Sequence, residues 1–559
     1  MKKRILAFAF IGAFMGTLAA QTENLAQRAN LNSNFRMGIP VTEEKSPPQF
    51  SGNPNSLFSN DVIINSAPTV DQRNVKIATA FNGWTYSAFT TSEAGNGGIY
   101  IRQSRDGGQT WSDFTYSGGP GLDYTAIDLT VTGSDTLNLS LFIAGVLNNS
   151  GNYIVWMDKY NATTGNFIGE NFNETSGTNL IYDVSLATDY ESPSYLSTPF
   201  SVALAYSKDY TMADSLIYAA SIDGGNTFTT RIGVLGTGYY LRKISIAYGR
   251  SSNWSNGRYF IAFENRINSS MDVGNVGMVY TNSDPTSAFS TPMFLDSIDS
   301  GLQGKVRYPK MSLQKDNNLN DSSGLSAIIT VDRQYSSLDW DALSIVSEKT
   351  VNSSPADWQR LDIDNSSNVA IESDVIYNSA NHLFAVSYYD STAQHLLIAT
   401  TDYNVTASSN WTSINTQYND LTTNIIAPKP RLSFNPTDTS IQVVWNSEGS
   451  SANGVPLFDA GVLGLSIAAN AQNLEFGNLY PNPTAGELNF SFNLKSESNV
   501  QLHILNLLGE EVFTENEGIL LSGEHTLKTN LSTLANGIYI YSIQTEKGNT
   551  SGRIVVAHQ

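Results

Sequence analysis

Ser104-Arg105-Asp106-Gly107-Gly108-Gln109-Thr110-Trp111 and Ser221-Ile222-Asp223-Gly224-Gly225-Asn226-Thr227-Phe228 are two copies of one pattern, Ser-x-Asp-Gly-Gly-x-Thr-aromatic. The chemistry these residue types share is that of a tight hairpin turn. The Asp carboxylate accepts hydrogen bonds from turn amides, the glycines permit positive φ, and the ring packs beneath the hairpin. The Asp is therefore a structural acceptor and not a catalytic acid. Each copy follows a short apolar run, Ile99 to Arg102 and Leu216 to Ala220, which reads as the strand entering the turn.

Outward from these turns the chain repeats. A short strand beginning at a charged residue recurs at Lys76, Asp128, Asp183, Lys243, Lys310, Asp374 and Arg431, at intervals of roughly 50 to 70 residues. Each start is followed by a more hydrophobic strand, such as Trp84 to Phe89 or Phe200 to Tyr206, and then by a third, ending the series with Val462 to Ile467. Antiparallel strands in groups of three or four, repeated seven times, predict a seven-bladed β-propeller. Val62-Ile63-Ile64 is available as an N-terminal strand for the seventh blade. A six-bladed ring or two tandem β-sandwiches are the alternatives.

The two turns resemble the Asp-box, or BNR repeat, of sialidase-like propellers. In those families the boxes lie on the face opposite the active site. The resemblance implies that Ser104, Asp106, Gly108, Thr110 and Trp111, with Ser221, Asp223, Gly225, Thr227 and Phe228, are structural. Thr281-Asn282-Ser283-Asp284 reads as a decayed third copy. The sialidase Arg-Ile-Pro signature precedes that family's first box, whereas Arg307-Tyr308-Pro309 follows both boxes here, so no catalytic residue is carried over.

With the boxes at the bottom, the repeat starts lie on top. Lys76, Asp128, Asp183, Lys243, Lys310, Asp374 and Arg431 are then expected to ring the channel entrance, and their mixed signs argue against a simple ion trap. Top loops add Arg266, Arg333, Tyr335, Asp339, Trp340, Tyr389 and His395. Aromatic rings beside carboxylates and guanidinium groups suit a glycan or protein ligand. The propeller segment holds only His382 and His395, so no metal site, cofactor or Ser-His-Asp triad is expected. A paired-carboxylate glycoside hydrolase or lyase remains open, with Asp128, Asp183, Asp374 and Glu264 as the candidate acids, whose separation spacing in sequence does not establish. So does a structural part of a surface adhesion assembly.

The two ends of the chain concern export. Met1-Lys2-Lys3-Arg4 precedes an apolar run, Ile5 to Ala20, too short to span a bilayer, and polar sequence follows: a signal peptide. No later segment is comparably apolar, so no membrane-spanning segment is expected. At the other end, Leu479-Tyr480-Pro481-Asn482-Pro483, Ile504 to Val512, Leu534-Ala535-Asn536-Gly537-Ile538-Tyr539-Ile540-Tyr541 and Arg553-Ile554-Val555-Val556 resemble the type A C-terminal sorting domain of type IX secretion cargo. That resemblance implies a small immunoglobulin-like β-sandwich recognised by the outer-membrane translocon, and a secreted or cell-surface location. The expected organisation is signal peptide 1–20, linker 21–60, propeller 61–467 and sorting domain 468–559. Across the 559 residues there is no cysteine, so neither disulfides nor thiolate chemistry contributes. The net charge of −20 disfavours nucleic acid as a partner.

Overall fold

The computed structural model describes Phe58, most of residues 61–461 and most of 474–558. The signal peptide expected at 1–20 and nearly all of the linker expected at 21–60 lie outside the described residues. The chain divides between Val462 and Leu463 into two compact units. Both are all-β, and among the described residues the only helical elements are two short 3-10 turns, Leu295–Ile298 and Pro355–Asp357.

The larger unit is propeller-like and follows the repeat. Its first four-stranded antiparallel motif comprises Asp71–Thr79, Thr85–Glu93, Asn96–Ser104 and Ser112–Pro120. The next six motifs open with Leu122–Thr132, Ile181–Thr188, Tyr240–Ser251, Val306–Leu313, Ala370–Asn378 and Arg431–Phe434. Every charged repeat start falls within one of these strands. A single pair, Gly274 opposite Val306, joins the fourth and fifth motifs into one continuous sheet. In the seventh motif the third strand is Gly454–Gly461 and not the expected 462–467, which lie outside the described residues. The fourth strand of that motif is Val62–Ile63, with Val62 opposite Phe458.

The middle strands are buried on both faces rather than on one, because each motif stacks between two neighbours. In Ser140–Asn149 the residues Leu141 and Ile143 face Tyr86, Ala88 and Ile101 of the first motif. The alternate residues Phe142, Ala144 and Val146 face Val202, Leu204 and Tyr206 of the third. The seventh motif meets the first in the same manner, Val444 and Phe458 packing with Phe89 and Trp111. Period-two alternation thus sorts side chains between two cores and not between core and water.

Both quoted turns form one geometry. Thr110 donates from its backbone N–H to Asp106 Oδ1 at 3.0 Å, and Gly108 donates to Ser104 Oγ at 2.8 Å. The corresponding bonds from Thr227 to Asp223 and from Gly225 to Ser221 are 2.9 and 2.8 Å. Burial raises the Asp223 carboxyl, but the hydrogen bonds from Ser221, Thr227 and Asn226 outweigh it and hold the group at about 2. Asp284 instead binds Thr286, at 2.8 Å from both its N–H and its hydroxyl, so the suspected third copy is a shorter turn.

The turns also seal seams. Trp111 meets Phe458 of the seventh motif edge-on at 5.3 Å between centroids, and Lys159 of the second motif donates to Gly224 O at 2.7 Å. Gly108 has φ +93°, and a Cβ placed there would lie 1.9 Å from Phe458.

In the smaller unit, a sheet of Leu474–Tyr480, Glu487–Leu494 and Gly523–Asn530 shares one core with a second sheet. The second sheet consists of Ser498–Leu505, Glu511–Leu520, Gly537–Thr545 and Gly548–Val556. Phe490 and Phe492 alternate on one sheet, Leu502, Ile504, Tyr541 and Ile543 on the other, and all are buried.

Gly108→Ala combines left-handed backbone strain with overpacking against Phe458, so it is expected to destabilise the protein by about 2–5 kcal/mol in urea unfolding. Gly151→Ala has a similar φ, +90°, but open space around it, and is expected to cost only the strain, about 1–2 kcal/mol. Equal losses at the two positions would show that the seam contact is not what Gly108 protects.

Candidate functional site

The first strands of all seven motifs line one axial cavity with two unlike ends. Where the strands begin, a mouth of about 130 Å³ is lined by Lys76, Asp183, Lys243, Lys310, Glu372, Lys429 and Arg431, together with Asn74, Thr125 and Tyr308. Where they end, a cavity of about 240 Å³ is lined mainly by Ile77, Leu129, Val131, Leu186, Ile246, Met311, Val375 and Leu432. The box turns lie at this second end, with Gly107 facing Asp438 of the seventh motif's strand 1–2 turn.

A recurrent backbone device shapes the mouth. The pairing of the first strand with the second shifts register just before the charged residue, between Arg73 and Lys76, Leu241 and Ile244, Arg307 and Lys310, and Ile371 and Asp374. Asn74, Tyr308, Glu372 and Lys429 all have positive φ, 54°, 56°, 58° and 45°, each two residues before a ring charge. Such bulges turn side chains away from the regular pleat, and here they bring Tyr308, Glu372 and Lys429 into the mouth beside the expected ring.

Carboxylates of one motif hold backbone amides of the next. Asp128 accepts from Leu186 N–H at 2.7 Å, Asp183 from Ile244 at 3.4 Å and Asp374 from Leu432 at 2.9 Å. A second tier lies nearer the rim: Glu264 accepts from Tyr308 at 3.0 Å, Asp332 from Glu372 at 2.8 Å, and Glu372 from Lys429 at 2.9 Å. Asp128 also pairs with Lys76 at 3.4 Å.

Five of the seven expected ring residues, Lys76, Asp183, Lys243, Lys310 and Arg431, line the mouth, while Asp128 and Asp374 are not among its lining residues and serve as inter-motif acceptors. The rim residues are arranged differently. Arg266 is paired with Glu264 at 2.5 Å and Asp272 at 3.7 Å. Arg333 donates to Gly301 O at 3.3 Å and stacks on Tyr335 at 3.4 Å. Trp340 is covered by the Arg307 guanidinium at 3.8 Å, and Arg307 also lies 4.8 Å from Tyr308. Tyr389 is buried, His395 stands opposite Asp390 at a hairpin end, and His382 lies outside the described residues. Arg307, Tyr308, Asp332, Glu372 and Lys429 are absent from the expected ring. Their sequence signal is only a position two before a ring charge, or a place on the neighbouring strand.

Electrostatics follow from this crowding. Burial raises the Asp183 carboxyl, yet Lys243, Lys310 and Lys76 around it bring it below the usual range. Lys310 is pushed down to about 7, by burial first and then by Arg431 and Lys76, against the opposing pull of Asp183 and Asp374. Among the described residues, no group of three or more acidic, His or Cys side chains is arranged to hold a metal ion.

Residues 478–557 match the secretion system C-terminal sorting domain. This sorting domain occupies the smaller unit and marks the chain as type IX secretion cargo, exported to the cell surface or the medium. No helix among the described residues is long and apolar enough to cross a membrane. No curated protein matches the chain. Among solved structures, it is similar to the Penicillium chrysogenum alpha-L-arabinanase complexed with arabinobiose, at 12% identity and TM-score 0.39, over 62% of this chain and 99% of that one. It is also similar to polysaccharide lyase Uly1, at 10% identity and TM-score 0.41, over 76% of this chain and 94% of that one. A third likeness is to the Dos1 propeller, at 11% identity and TM-score 0.38, over 71% of this chain and 94% of that one.

Lys310 makes stability depend on pH. Its folded pKa lies below the unfolded value, so the unfolded chain holds more protons between about pH 7 and 10.5, and stability rises with pH across that window. The penalty of a charged, buried Lys310 is fully present below pH 7. Lys310→Met is therefore expected to raise the melting temperature at pH 6 by more than at pH 9. An equal effect at both values in thermal unfolding would contradict the shift.

Proposed function

We propose that this protein is an exported seven-bladed Asp-box β-propeller that binds a glycan or protein ligand at its axial mouth. In this reading residues 1–20 are a signal peptide, 21–60 a linker, 61–467 the propeller and 468–559 an immunoglobulin-like sorting sandwich. The observation that carries the binding reading is the mouth itself. It is an open cavity lined by all seven first strands, with several charged side chains, in which the acids are engaged by backbone amides. Lys310 in particular is crowded by Arg431 and Lys76, and an anionic ligand group would relieve that like-charge repulsion.

One observation favours a second reading, hydrolysis or eliminative cleavage of a glycan at the same mouth. Burial holds the carboxyl of Asp332 up at about 7 despite Arg307, and the nearby charge of Glu372 adds to the effect. Such a value suits an acid–base catalyst. Against it, both Asp332 oxygens are engaged, one by Glu372 N–H at 2.8 Å and the other by Arg307 at 3.3 Å. The binding reading is preferred for that reason. A role as a structural part of an adhesion layer has no particular observation in its favour.

Two experiments test these statements. Deleting residues 478–559 is expected to leave the protein inside the outer membrane, as read by cell fractionation; undiminished release would remove the sorting role. The secreted full chain is expected to be retained on a glycan array or to pull down a surface protein, and to release no reducing or unsaturated ends from polysaccharides. Turnover abolished by Asp332→Asn would transfer the assignment to the enzyme.

A further inference from the structure

We propose that the axial mouth is a subsite for an acidic glycan: Lys243, Lys310, Lys429 and Arg431 receive one carboxylate or sulfate group, and the Tyr308–Arg307–Trp340 stack carries the adjoining sugar. This deepens the binding reading above and rests on it.

The charge inventory carries the first half. Five cationic side chains line the mouth, Lys76, Lys243, Lys310, Lys429 and Arg431, against two carboxylates, Asp183 and Glu372, with Asp128 and Asp374 close by. All four acids accept from amides of the next motif, which fixes the position of each carboxylate. Of the five cations, Lys76 has its ion pair with Asp128. Among the described residues, the ammonium groups of Lys243, Lys310 and Lys429 have no carboxylate within 4.0 Å, and Arg431 Nε is buried without an acceptor. The mixed signs that argue against an ion trap in sequence thus leave five cations to four acids, with Lys243, Lys310 and Lys429 beyond direct contact with any of the acids.

The context makes the cluster specific. The chain as a whole carries −20 and repels polyanions at long range. Acid recognition therefore has to be local, and the mouth is a place where cations gather in a concave site. A cavity of about 130 Å³ holds several waters, and is matched in scale to one acidic group rather than to a whole chain.

The second half follows from what adjoins the mouth. Tyr308 lines it, with Lys243 Nζ 5.9 Å from its ring. Arg307 bridges from Tyr308 to Trp340, lying 4.8 and 3.8 Å from the two rings, and Asp332 fixes the Arg307 end at 3.3 Å. This makes a continuous run of aromatic and guanidinium surface leading out of the mouth. Aromatic planes take the apolar face of a sugar while hydroxyls remain solvated.

The test uses the full secreted chain in gels containing alginate, a polyuronate, dextran sulfate, or neutral dextran. Retardation is expected with alginate, dextran sulfate or both, and not with dextran. Alginate alone assigns the acid as carboxylate, and dextran sulfate alone assigns it as sulfate. Lys243→Gln with Lys429→Gln should weaken the apparent Kd at least tenfold, and Trp340→Ala several-fold. The charge-preserving pair Lys243→Arg and Lys429→Arg should retain binding. Lys528→Gln with Arg553→Gln changes total charge equally on the sorting unit and should leave binding unchanged. Acidic-glycan binding that survives the Gln pair, or falls equally with the control pair, overturns the subsite. Dextran bound as tightly as dextran sulfate overturns acid selectivity but leaves the binding reading standing. Absence of retention by every polysaccharide, together with absence of any captured protein, removes the binding reading itself.

Discussion

The larger unit depends on how the inner edge of each sheet is satisfied. A first strand has a partner on one side only, and its other N–H groups face the axis, where an unpaired amide is costly. Here the preceding motif supplies the acceptors: Asp128 for Leu186, Asp183 for Ile244, Ser245 for Met311 and Asp374 for Leu432. A carboxylate accepting from an amide is a charge-assisted bond, stronger than a neutral one. It also fixes how far one sheet slides against the next. At the last seam the contact is made instead between neutral side chains, with Ser433 donating to Thr79, and Thr79 and Thr85 both donating to Gln442.

This division of labour determines the character of the axis. Because acids are needed as acceptors at the start of the strands, cations accumulate around them for electrostatic reasons, and the polar mouth is in part a by-product of assembly. Farther down the same strands the axis is lined by Ile77, Leu129, Leu186 and Ile246 together with Thr79, Thr130, Thr188 and Ser312, and charged side chains give way to uncharged ones. Among the cations beyond Lys76, Lys310 is held below its usual range by burial and by the charges of Arg431 and Lys76, a feature that functional sites share with structural charge networks.

Much of this architecture was legible because the repeat start is both charged and followed by apolar strands, and the two Asp-type turns set the polarity of each motif. The third strand of the seventh motif was not. Gly454–Gly461 carries Pro456 and Asp459, and proline normally demotes a strand, whereas the neighbouring run to Ile467 has the more regular apolar pattern. Within that strand the Pro456 carbonyl still takes part in the sheet, accepting from Ile64 N–H at 3.0 Å. The contributions of Tyr308 and Lys429 were hidden for a different reason. Each precedes a proline, which favours extended backbone, yet both adopt positive φ and are held there by a carboxylate on their N–H. A conformation imposed by a partner tens of residues away leaves no local trace in sequence.

The seventh sheet draws its fourth strand, Val62–Ile63, from the opposite end of the body, opposite Phe458 and Leu457. Joining positions so far apart in sequence carries a loop-closure entropy of roughly 5 kcal/mol, met only when the last motif exists to receive the strand. The seventh sheet is therefore complete only when Gly454–Gly461 is in place to receive that strand. The residues of the sorting domain follow directly. The sorting domain, residues 478–557, thus lies beyond the last strand that the larger unit needs to complete its seventh sheet.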